Sequence, residues 1–208
     1  MSGPGQIIIL NGAPRSGKSS IAAEIQARFE GTWANLGVDV WADSVTPEHL
    51  RPGVGLRPGG ERPDLEPVVQ ALYAALYESI AAHSRLGLNV VVDVGHHDAY
   101  SRPLGILAES ARRLAGLPVL FVGVHCPIDE IMRRRNADSS GRYLGGSADD
   151  PPPQVLLWQT EVHKPGLYDL EVDTRALGAA ACAAANLRRL HRGVAQPTAF
   201  ERLAVGAG

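Results

Sequence analysis

The segment Gly12 to Ser19, Gly-Ala-Pro-Arg-Ser-Gly-Lys-Ser, has the residue types and spacing of a phosphate-binding loop. Its glycines allow backbone N–H groups to curl around phosphate oxygens, and the N-terminus of a following helix adds partial positive charge. We expect Lys18 to reach the β- and γ-phosphates of a nucleotide and the Ser19 hydroxyl to ligate Mg²⁺. Composition alone gives roughly 0.002 chance matches to this pattern, so the motif is a strong signal.

The predicted nucleotide site extends over the whole loop and the serine that follows it. Its members are Gly12, Ala13, Pro14, Arg15, Ser16, Gly17, Lys18, Ser19 and Ser20. An apolar segment, Gln6 to Leu10, precedes the loop, and a helical pattern with Ile21 and Ile25 on one face follows it. This strand–loop–helix context favours ATP or GTP as the ligand. A glycine turn before an ordinary helix is the competing interpretation.

Two aspartates are candidates for the remaining chemistry of phosphoryl transfer, which needs a group that orients the acceptor. Asp39 ends the apolar segment Trp33 to Asp39, and Asp93 ends Asn89 to Asp93. If both segments are parallel strands, their carboxyl ends line the crevice that holds the phosphate loop. Asp39 is then the candidate base for an acceptor hydroxyl, and Asp93 assists Mg²⁺. These roles could be exchanged, and either carboxylate could instead cap a helix.

Four arginines could neutralise the transferring phosphoryl group or clamp the nucleotide. Arg133, Arg134 and Arg135 end a helical segment, and Arg142 lies in the loop after it. We assign Arg135 and Arg142 to catalysis, and Arg133 and Arg134 to nucleotide binding. A basic helix end that faces solvent is the alternative, because cations stabilise helix C-termini in any case.

The predicted acceptor site combines carboxylates, histidines and an indole that follow the second and third strands. Its members are Asp39, Trp41, Asp43, Asp93, His96, His97 and Asp98. Adjacent histidines do not converge easily on one ion, so we expect His96 and His97 to line the pocket and not to bind a metal. A plain surface turn is the alternative for His96 to Asp98, and core packing is the alternative for Trp41.

Strand-like and helix-like segments alternate along the chain. Apolar runs typical of buried parallel strands occupy 6–10, 33–39, 89–93, 118–124 and 170–173. Helical patterns occupy 18–29, 66–85, 101–114, 128–136, 154–162 and 176–190. The alternation predicts a three-layer α/β fold with a mostly parallel, five-stranded sheet.

Two loop-like stretches interrupt this alternation. The segment 41–67 is rich in proline and glycine and is predicted to face the acceptor. The segment 137–153 is predicted to form a lid that carries arginine. Residues 1–195 are expected to form a single kinase domain, and 196–208 a frayed C-terminal tail.

Composition limits the partners that the chain can bind. Among its 208 residues, Lys and Arg number 20 against 22 for Asp and Glu, which gives a net charge of −2. This balance argues against broad capture of nucleic acid or of an acidic membrane. The apolar runs fall far short of the ~20 residues that cross a bilayer, and Cys126 and Cys182 are too few for a disulfide framework. We expect a soluble cytoplasmic protein that binds a small molecule, with homo-oligomer formation left open.

The chain resembles the chloramphenicol phosphotransferase-like family of small P-loop kinases from about Ile7 to about Thr174. Four segments carry the resemblance: Ile7 to Gly12, Leu36 to Asp39, Val119 to Cys126 and Tyr168 to Thr174. The resemblance implies phosphorylation of a hydroxyl on an antibiotic by ATP and Mg²⁺, with Asp39 as the base. It also implies a sheet like that of shikimate kinase and a role in resistance or self-protection.

The chain departs from the family's pattern in its lid and on its acceptor side. The family spaces lid arginines around an Arg-Gly-Asp-Arg patch, whereas here 133–135 are contiguous and only Ser140-Gly-Arg142 follows. The segment Trp41 to Pro67 also differs from the run that follows the family's base. The predicted acceptor is therefore chloramphenicol-like or a nucleoside- or sugar-bearing antibiotic. The alternatives are a metabolic kinase of nucleosides, sugars or shikimate, or a module that senses or hydrolyses nucleotide.

Overall fold

The structure, a computed structural model, describes residues 3–47, 56–139, 143 and 145–206. Within these ranges five strands form one sheet: β1 (Ile7–Asn11), β2 (Trp33–Asn35), β3 (Asn89–Val94), β4 (Val119–His125) and β5 (Leu170–Asp173). The strand order is β2-β3-β1-β4-β5, and every neighbouring pair is parallel. The predicted α/β fold with a parallel five-stranded sheet is confirmed.

Helices connect the strands and cover both faces of the sheet. Those in the described ranges are α1 (Lys18–Arg28), α2 (Val38–Val45), α3 (Glu66–Arg85), α4 (Ile106–Arg113), α5 (Ile128–Asn136), α6 (Pro153–Glu161), α7 (Thr174–Arg192) and α8 (Ala199–Val205). The backbone of α7 is interrupted at Gly178, whose φ is 72°. None of these described helices has the length and apolar character needed to span a membrane.

The central strand β1 is buried on both faces, which is why its sequence is almost continuously apolar. Ile7 and Ile9 belong to a core that α3, α4 and α8 share. Ile8 and Leu10 point the other way, into a second core built with α1 and α7. Alternation of side chains along a strand thus produces the two packed interfaces of a three-layer fold. Both cores place the carboxyl ends of β1 and β3 side by side, with Leu10 in register with Asp93.

The second predicted strand is shorter than expected, and its last part is a helix. β2 ends at Asn35, and Asp39 lies in the first turn of α2 instead of at a strand end. The Asn35 side chain accepts a hydrogen bond from the Gly37 amide at 3.0 Å, which turns the chain. A Cβ on Gly37 would lie 1.8 Å from Asp93 Oδ1, so a larger residue in this turn would displace the Asp93 carboxylate. The change of element still leaves Asp39 near the end of the sheet that carries Asp93.

The helix expected over 101–114 begins only at Ile106. Asp98 Oδ1 accepts hydrogen bonds from the amides of Leu104 and Gly105, at 2.7 and 3.0 Å, and fixes the residues before the helix as a loop. Pro103 also disfavours helical backbone in the residue before it. The start of α4 therefore depends on an aspartate that comes directly after the adjacent histidines.

The prediction of a frayed C-terminal tail is wrong for Ala199–Val205, which form α8. Thr198 and Glu201 make a capping box, a pattern of threonine and glutamate three residues apart that is visible in the sequence. Phe200 is 3% exposed and packs against Tyr77 and Phe121. Burial of this ring is what holds the C-terminal segment on the core.

Replacement of Phe200 by alanine should lower the free energy of unfolding by about 3–5 kcal/mol, since it removes a buried aromatic ring and leaves a cavity. Urea denaturation measures the change. Val205→Ala is the matched control on the same helix, because Val205 is 85% exposed and its truncation removes little buried surface. Equal stability of the two variants would show that α8 does not contribute to the core.

Candidate active site

The phosphate-loop segment Gly12 to Ser19 starts where β1 ends and finishes in the first turn of α1. A Cβ on Gly12 would lie 2.4 Å from the carbonyl oxygen of Val124, so only glycine fits between β1 and β4. Gly17 has a φ of 100° and is the residue from which α1 begins. Arg15 also adopts a left-handed backbone, with a φ of 70°. These turns close the loop around the amino end of α1, where backbone N–H groups have no helical partner.

Lys18 is the half-buried cation of the loop. Its Nζ donates hydrogen bonds to the carbonyl oxygens of Gly12 and Ala13, at 2.8 and 2.9 Å. Burial lowers the pKa of Lys18, while the negative charges of Asp93 and Asp39 act in the opposite direction. An ammonium group held out of water next to the loop is well suited to pair with phosphate oxygens.

Ser19 and Asp93 are brought together at the end of the sheet, where Ser19 Oγ donates to Asp93 Oδ2 at 2.6 Å. A hydroxyl and a carboxylate are the hard oxygen ligands that Mg²⁺ prefers. The described residues contain no group of three or more His, Cys, Asp or Glu side chains that could hold a metal without other ligands. The pair therefore fits Mg²⁺ as phosphoryl-transfer enzymes bind it, with one or two protein oxygens and the rest from phosphates and water.

A cleft of about 570 Å³ opens beside the loop. Its floor comes from the phosphate loop and the end of β3, including Gly12, Pro14, Arg15, Gly17, Lys18, Ser19, Ser20, Asp93 and Gly95. One wall comes from α2, α3 and the residues after position 55: Val38, Asp39, Asp43, Leu56, Arg57 and Tyr73. The other comes from α5, α6 and the lid segment: Arg134, Arg135, Tyr143, Gln154, Val155 and Trp158. One concave site thus collects most of the predicted nucleotide-binding residues and both candidate aspartates.

Asp39 lies on the wall of the cleft that faces the loop, in the first turn of α2. A carboxylate is stabilised in that position by the partial positive charge of a helix N-terminus. Asp39 acts electrostatically on Lys18, and it also contributes, after burial, to a raised pKa of Tyr73. The structure therefore places a negative charge opposite the phosphate loop, although in a different element from the one expected.

The three contiguous arginines of α5 do not share one face, because successive helical residues are rotated by about 100°. Arg134 and Arg135 line the cleft. Arg133 is turned away, with its side chain 69% exposed and paired to Glu130 at 2.6 Å. The assignment of Arg133 to nucleotide binding is therefore wrong in this geometry. Arg142 lies outside the described residues.

Arg15 and Arg134 link the phosphate loop to α5. Arg15 Nη2 donates to the carbonyl oxygen of Arg134 at 2.8 Å, and Arg134 Nη1 donates to that of Arg15 at 3.2 Å. The ring of Tyr143 carries the guanidinium groups of Arg15 and Arg135 at 5.0 and 5.3 Å from its centroid. Cation–π contacts of this kind hold two like charges near one another. Sequence reasoning missed Tyr143, since a lone tyrosine in a glycine-rich loop gives no signal.

Neither predicted histidine lines the cleft. His96 is 1% exposed, and its Nε2 shares a hydrogen bond with the Tyr77 hydroxyl at 2.7 Å. His97 is also buried and is bonded through Nε2 to the Leu56 carbonyl oxygen at 2.8 Å. Asp98 bonds to the backbone before α4, as described above. The expectation of acceptor contacts from His96 to Asp98 is therefore wrong, and so is the alternative of a plain surface turn.

The two tryptophans differ in their relation to the cleft. Trp41 packs behind it against Val38, Leu72 and Tyr73, so the expected contact of its indole with the acceptor is not found. Trp158 does line the cleft, and a Cβ on Gly95 would lie 2.9 Å from its ring. The indole of Trp158 thus rests on the backbone just after β3 and forms an apolar patch near the phosphate loop.

A five-stranded parallel sheet of this order, with a phosphate-binding loop after β1, is the fold of P-loop kinases. The chain belongs to the chloramphenicol phosphotransferase-like protein family, whose profile matches residues 5–191. A Mycobacterium tuberculosis protein whose name assigns it provisionally as an O-phosphotransferase is 28% identical over 215 residues, which cover 96% of this chain and 88% of that protein. The family, this relative and the fold identify a phosphotransferase that acts on a hydroxyl group.

Two solved structures show the same fold at low sequence identity. A sugar kinase from Janibacter sp. HTCC2649 has a TM-score of 0.61 at 16% identity, over 90% of this chain and 95% of that one. The APS kinase of Mycobacterium tuberculosis has a TM-score of 0.58 at 17% identity, over 91% of this chain and 99% of that one. Both cover nearly the whole chain, so the architecture is shared from end to end.

Acidification should destabilise the fold through His96. Burial lowers its pKa from the usual 6.5 to about 3, so between these values the unfolded chain binds a proton that the folded chain does not. The free energy of unfolding should therefore fall as pH drops from 6.5 towards 4. Burial also lowers the pKa of His163, to about 4, with the same sign.

Urea denaturation at pH 6.5, 5.5 and 4.5 measures this dependence. In His96→Gln, which keeps a polar partner for Tyr77, the slope should be shallower by up to about 1.4 kcal/mol per pH unit, the contribution of one proton. Identical slopes for the two proteins would mean that His96 is protonated equally in the folded and unfolded chains.

Proposed function

We propose that this phosphotransferase transfers the γ-phosphoryl group of ATP or GTP, with Mg²⁺, to a hydroxyl of a small-molecule antibiotic and so confers resistance or self-protection. The observation that carries the proposal is the position of Lys18, which lies in the phosphate loop within electrostatic reach of both Asp93 and Asp39. The two carboxylates and the loop line one cleft. This is the arrangement that an in-line transfer needs, with phosphate, metal ligand and acceptor base in one place.

The nucleotide would be bound by the loop amides and by cations on both sides of them. Lys18 would exchange its two loop carbonyl partners for phosphate oxygens. Arg134 and Arg135 reach the cleft from α5, and Arg15 reaches it from the loop itself. Guanidinium groups match the geometry of phosphate and remain charged at all relevant pH values. These cations would stabilise the charge spread over the transferring phosphoryl group.

Ser19 and Asp93 would hold Mg²⁺, which when bound neutralises charge on the nucleotide's phosphate oxygens. The hydrogen bond between Ser19 Oγ and Asp93 Oδ2 already orients both groups. Gly37 packs directly against the Asp93 carboxylate and restricts its position. The hydroxyl and the carboxylate are therefore fixed relative to one another by the turn that precedes α2.

Asp39 would receive the proton of the acceptor hydroxyl. As the hydroxyl oxygen bonds to the γ-phosphorus, the bond between that phosphorus and the β,γ-bridging oxygen breaks, and the nucleoside diphosphate leaves. Lys18 and Arg135 face the negative charge that shifts during this exchange. A carboxylate suits the role because phosphoryl transfer needs positioning of the acceptor hydroxyl more than a strong base.

The wall of the cleft that contains α2 and α3, here called the acceptor wall, combines apolar and charged side chains. Val38, Leu56 and Tyr73 supply apolar surface, and Asp43 supplies a carboxylate, while Trp158 adds apolar surface from the other wall. A pocket of this kind suits a molecule that has an apolar or aromatic part together with several hydroxyl groups. The composition of the wall therefore supports an antibiotic of the chloramphenicol-like, nucleoside-bearing or sugar-bearing kinds as the acceptor.

Replacement of Asp39 by asparagine should reduce turnover about 10²- to 10⁴-fold, the contribution typical of a positioned acid or base. The affinity for nucleotide should change little, because Asp39 lies on the acceptor wall. Mass spectrometry of each antibiotic after incubation with the protein and Mg-ATP or Mg-GTP measures turnover as the gain of one phosphoryl group. Calorimetry measures nucleotide affinity in the same variant.

Asp64→Asn is the matched control, since Asp64 is an exposed aspartate paired with Arg62 outside the cleft. It should phosphorylate the acceptor at the wild-type rate. Equal turnover in Asp39→Asn and wild type would overturn the assignment of the base. Phosphorylation only of nucleosides, sugars or shikimate would indicate a metabolic kinase, and hydrolysis of nucleotide without any phosphorylated acceptor would indicate a nucleotide-sensing module.

A further inference from the structure

Arg57 differs from Arg15 and Arg134, two other arginines of the cleft, in having no carboxylate partner among the residues that the structure describes. It lines the cleft and makes no hydrogen bond or ion pair with any residue in the ranges that the structure describes. Arg15, in contrast, is paired with Asp138 at 3.4 Å, and Arg134 with Glu130 at 2.7 Å. A guanidinium group that is not bonded to a carboxylate can satisfy its planar set of N–H donors with water or with a ligand.

The backbone that carries Arg57 is held in place on both sides. The Leu56 carbonyl oxygen accepts a hydrogen bond from Nε2–H of the buried His97 at 2.8 Å. The Gly59 amide donates to the Ala99 carbonyl oxygen at 2.7 Å, and the intervening Pro58 is buried. The backbone of this turn is therefore tied to the segment that follows β3, and Arg57 extends from a preorganised turn. Preorganisation of this kind lowers the entropic cost of binding a ligand.

A second guanidinium lies close to Arg57. Arg135 is only 8% exposed, and burial lowers its pKa, with the positive charges of Arg57 and Arg15 acting in the same direction. The ring of Tyr143 offsets part of this repulsion on the side of Arg15 and Arg135. An anion bound at Arg57 would offset this repulsion and accept hydrogen bonds from the Arg57 guanidinium.

Arg57 lies on the side of the cleft that we assign to the acceptor. Leu56, next to it in the chain, packs with Val38, Trp41 and Tyr73 on the wall opposite the phosphate loop. The phosphates are already faced by Lys18 and by the arginines linked to the loop. We propose that the acceptor carries an anionic group, a carboxylate or an oxyanion ester, which Arg57 binds while a hydroxyl of the same molecule faces Asp39.

The inference rests on the proposed function and narrows it. Within the proposed antibiotics it selects acidic ones, such as a nucleoside- or sugar-bearing compound with a carboxylate or phosphate, over a neutral acceptor such as chloramphenicol. Asp39 and Asp43 would then face the hydroxyl groups of the acceptor, and Arg57 its anionic group. Recognition by opposite charges at two ends would orient the molecule for transfer.

Calorimetric titration of the protein saturated with Mg²⁺ and AMPPNP tests the anion site, since the phosphate loop is then filled. The probes are sulfate, which represents tetrahedral esters, and malonate, which represents carboxylates, at constant ionic strength set with chloride. We expect the wild type to bind at least one of them. Arg57→Gln should weaken that binding tenfold or more, as expected for loss of a charge-assisted contact.

The matched control is Arg62→Gln, an exposed arginine of the same segment that is paired with Asp64 outside the cleft. It should bind the anion as the wild type does. The probe that the wild type binds with the higher affinity, sulfate or malonate, then indicates whether the anionic group is ester-like or carboxylate-like. Failure of the nucleotide-bound wild type to bind either anion, or equal binding by Arg57→Gln, would overturn the anionic acceptor and leave the proposed kinase intact. Failure to bind AMPPNP itself would overturn both.

Discussion

The arrangement depends on one electrostatic constraint, a half-buried lysine ammonium at the start of α1, beside the ends of two parallel strands. Lys18 is fixed by the carbonyl oxygens of Gly12 and Ala13, and the carboxylates of Asp93 and Asp39 offset part of the cost of its burial. Parallel pairing of β1 with β3 brings the loop and Asp93 to the same edge of the sheet. The short turn at Gly37 then brings α2 across that edge. The pairing of β1 with β3 and the turn at Gly37 thus bring Lys18, Asp93 and Asp39 to the same end of the sheet.

Some residues that support the walls of the cleft do not line it themselves. The adjacent histidines are an example. The backbone amide of His96 donates a hydrogen bond to Asn11 Oδ1, and Nε2 of His97 donates one to the carbonyl oxygen of Leu56. Both stay buried and uncharged at neutral pH, because burial lowers the pKa of each. His97 thereby holds Leu56, which lines the cleft next to Arg57. The charged side chains on this wall of the cleft are Arg57, Asp39 and Asp43.

Features that follow from local chemistry could be predicted from the sequence. The phosphate loop has fixed spacing, and the buried strands have continuous apolar runs, so both were predictable before any tertiary contact is known. Asp39 could be identified as a candidate base, but not its helical setting, which depends on the close approach of Gly37 to Asp93. Arg57 and Tyr143 could not be identified, because only the folded chain brings them to the cleft. The sequence did not show which of the three arginines of α5 line the cleft, because that depends on how the helix is rotated relative to the cleft.

The measurement that tests this account most directly is calorimetric titration of Mg-ATP and Mg-GTP into the wild type and into Lys18→Met. Methionine keeps much of the length of the lysine side chain and removes its charge. The account predicts saturable binding of at least one nucleotide by the wild type and at least tenfold weaker binding by the variant, since a charge-assisted contact with phosphate is lost. No heat from either nucleotide, or equal affinity in the two proteins, would contradict it.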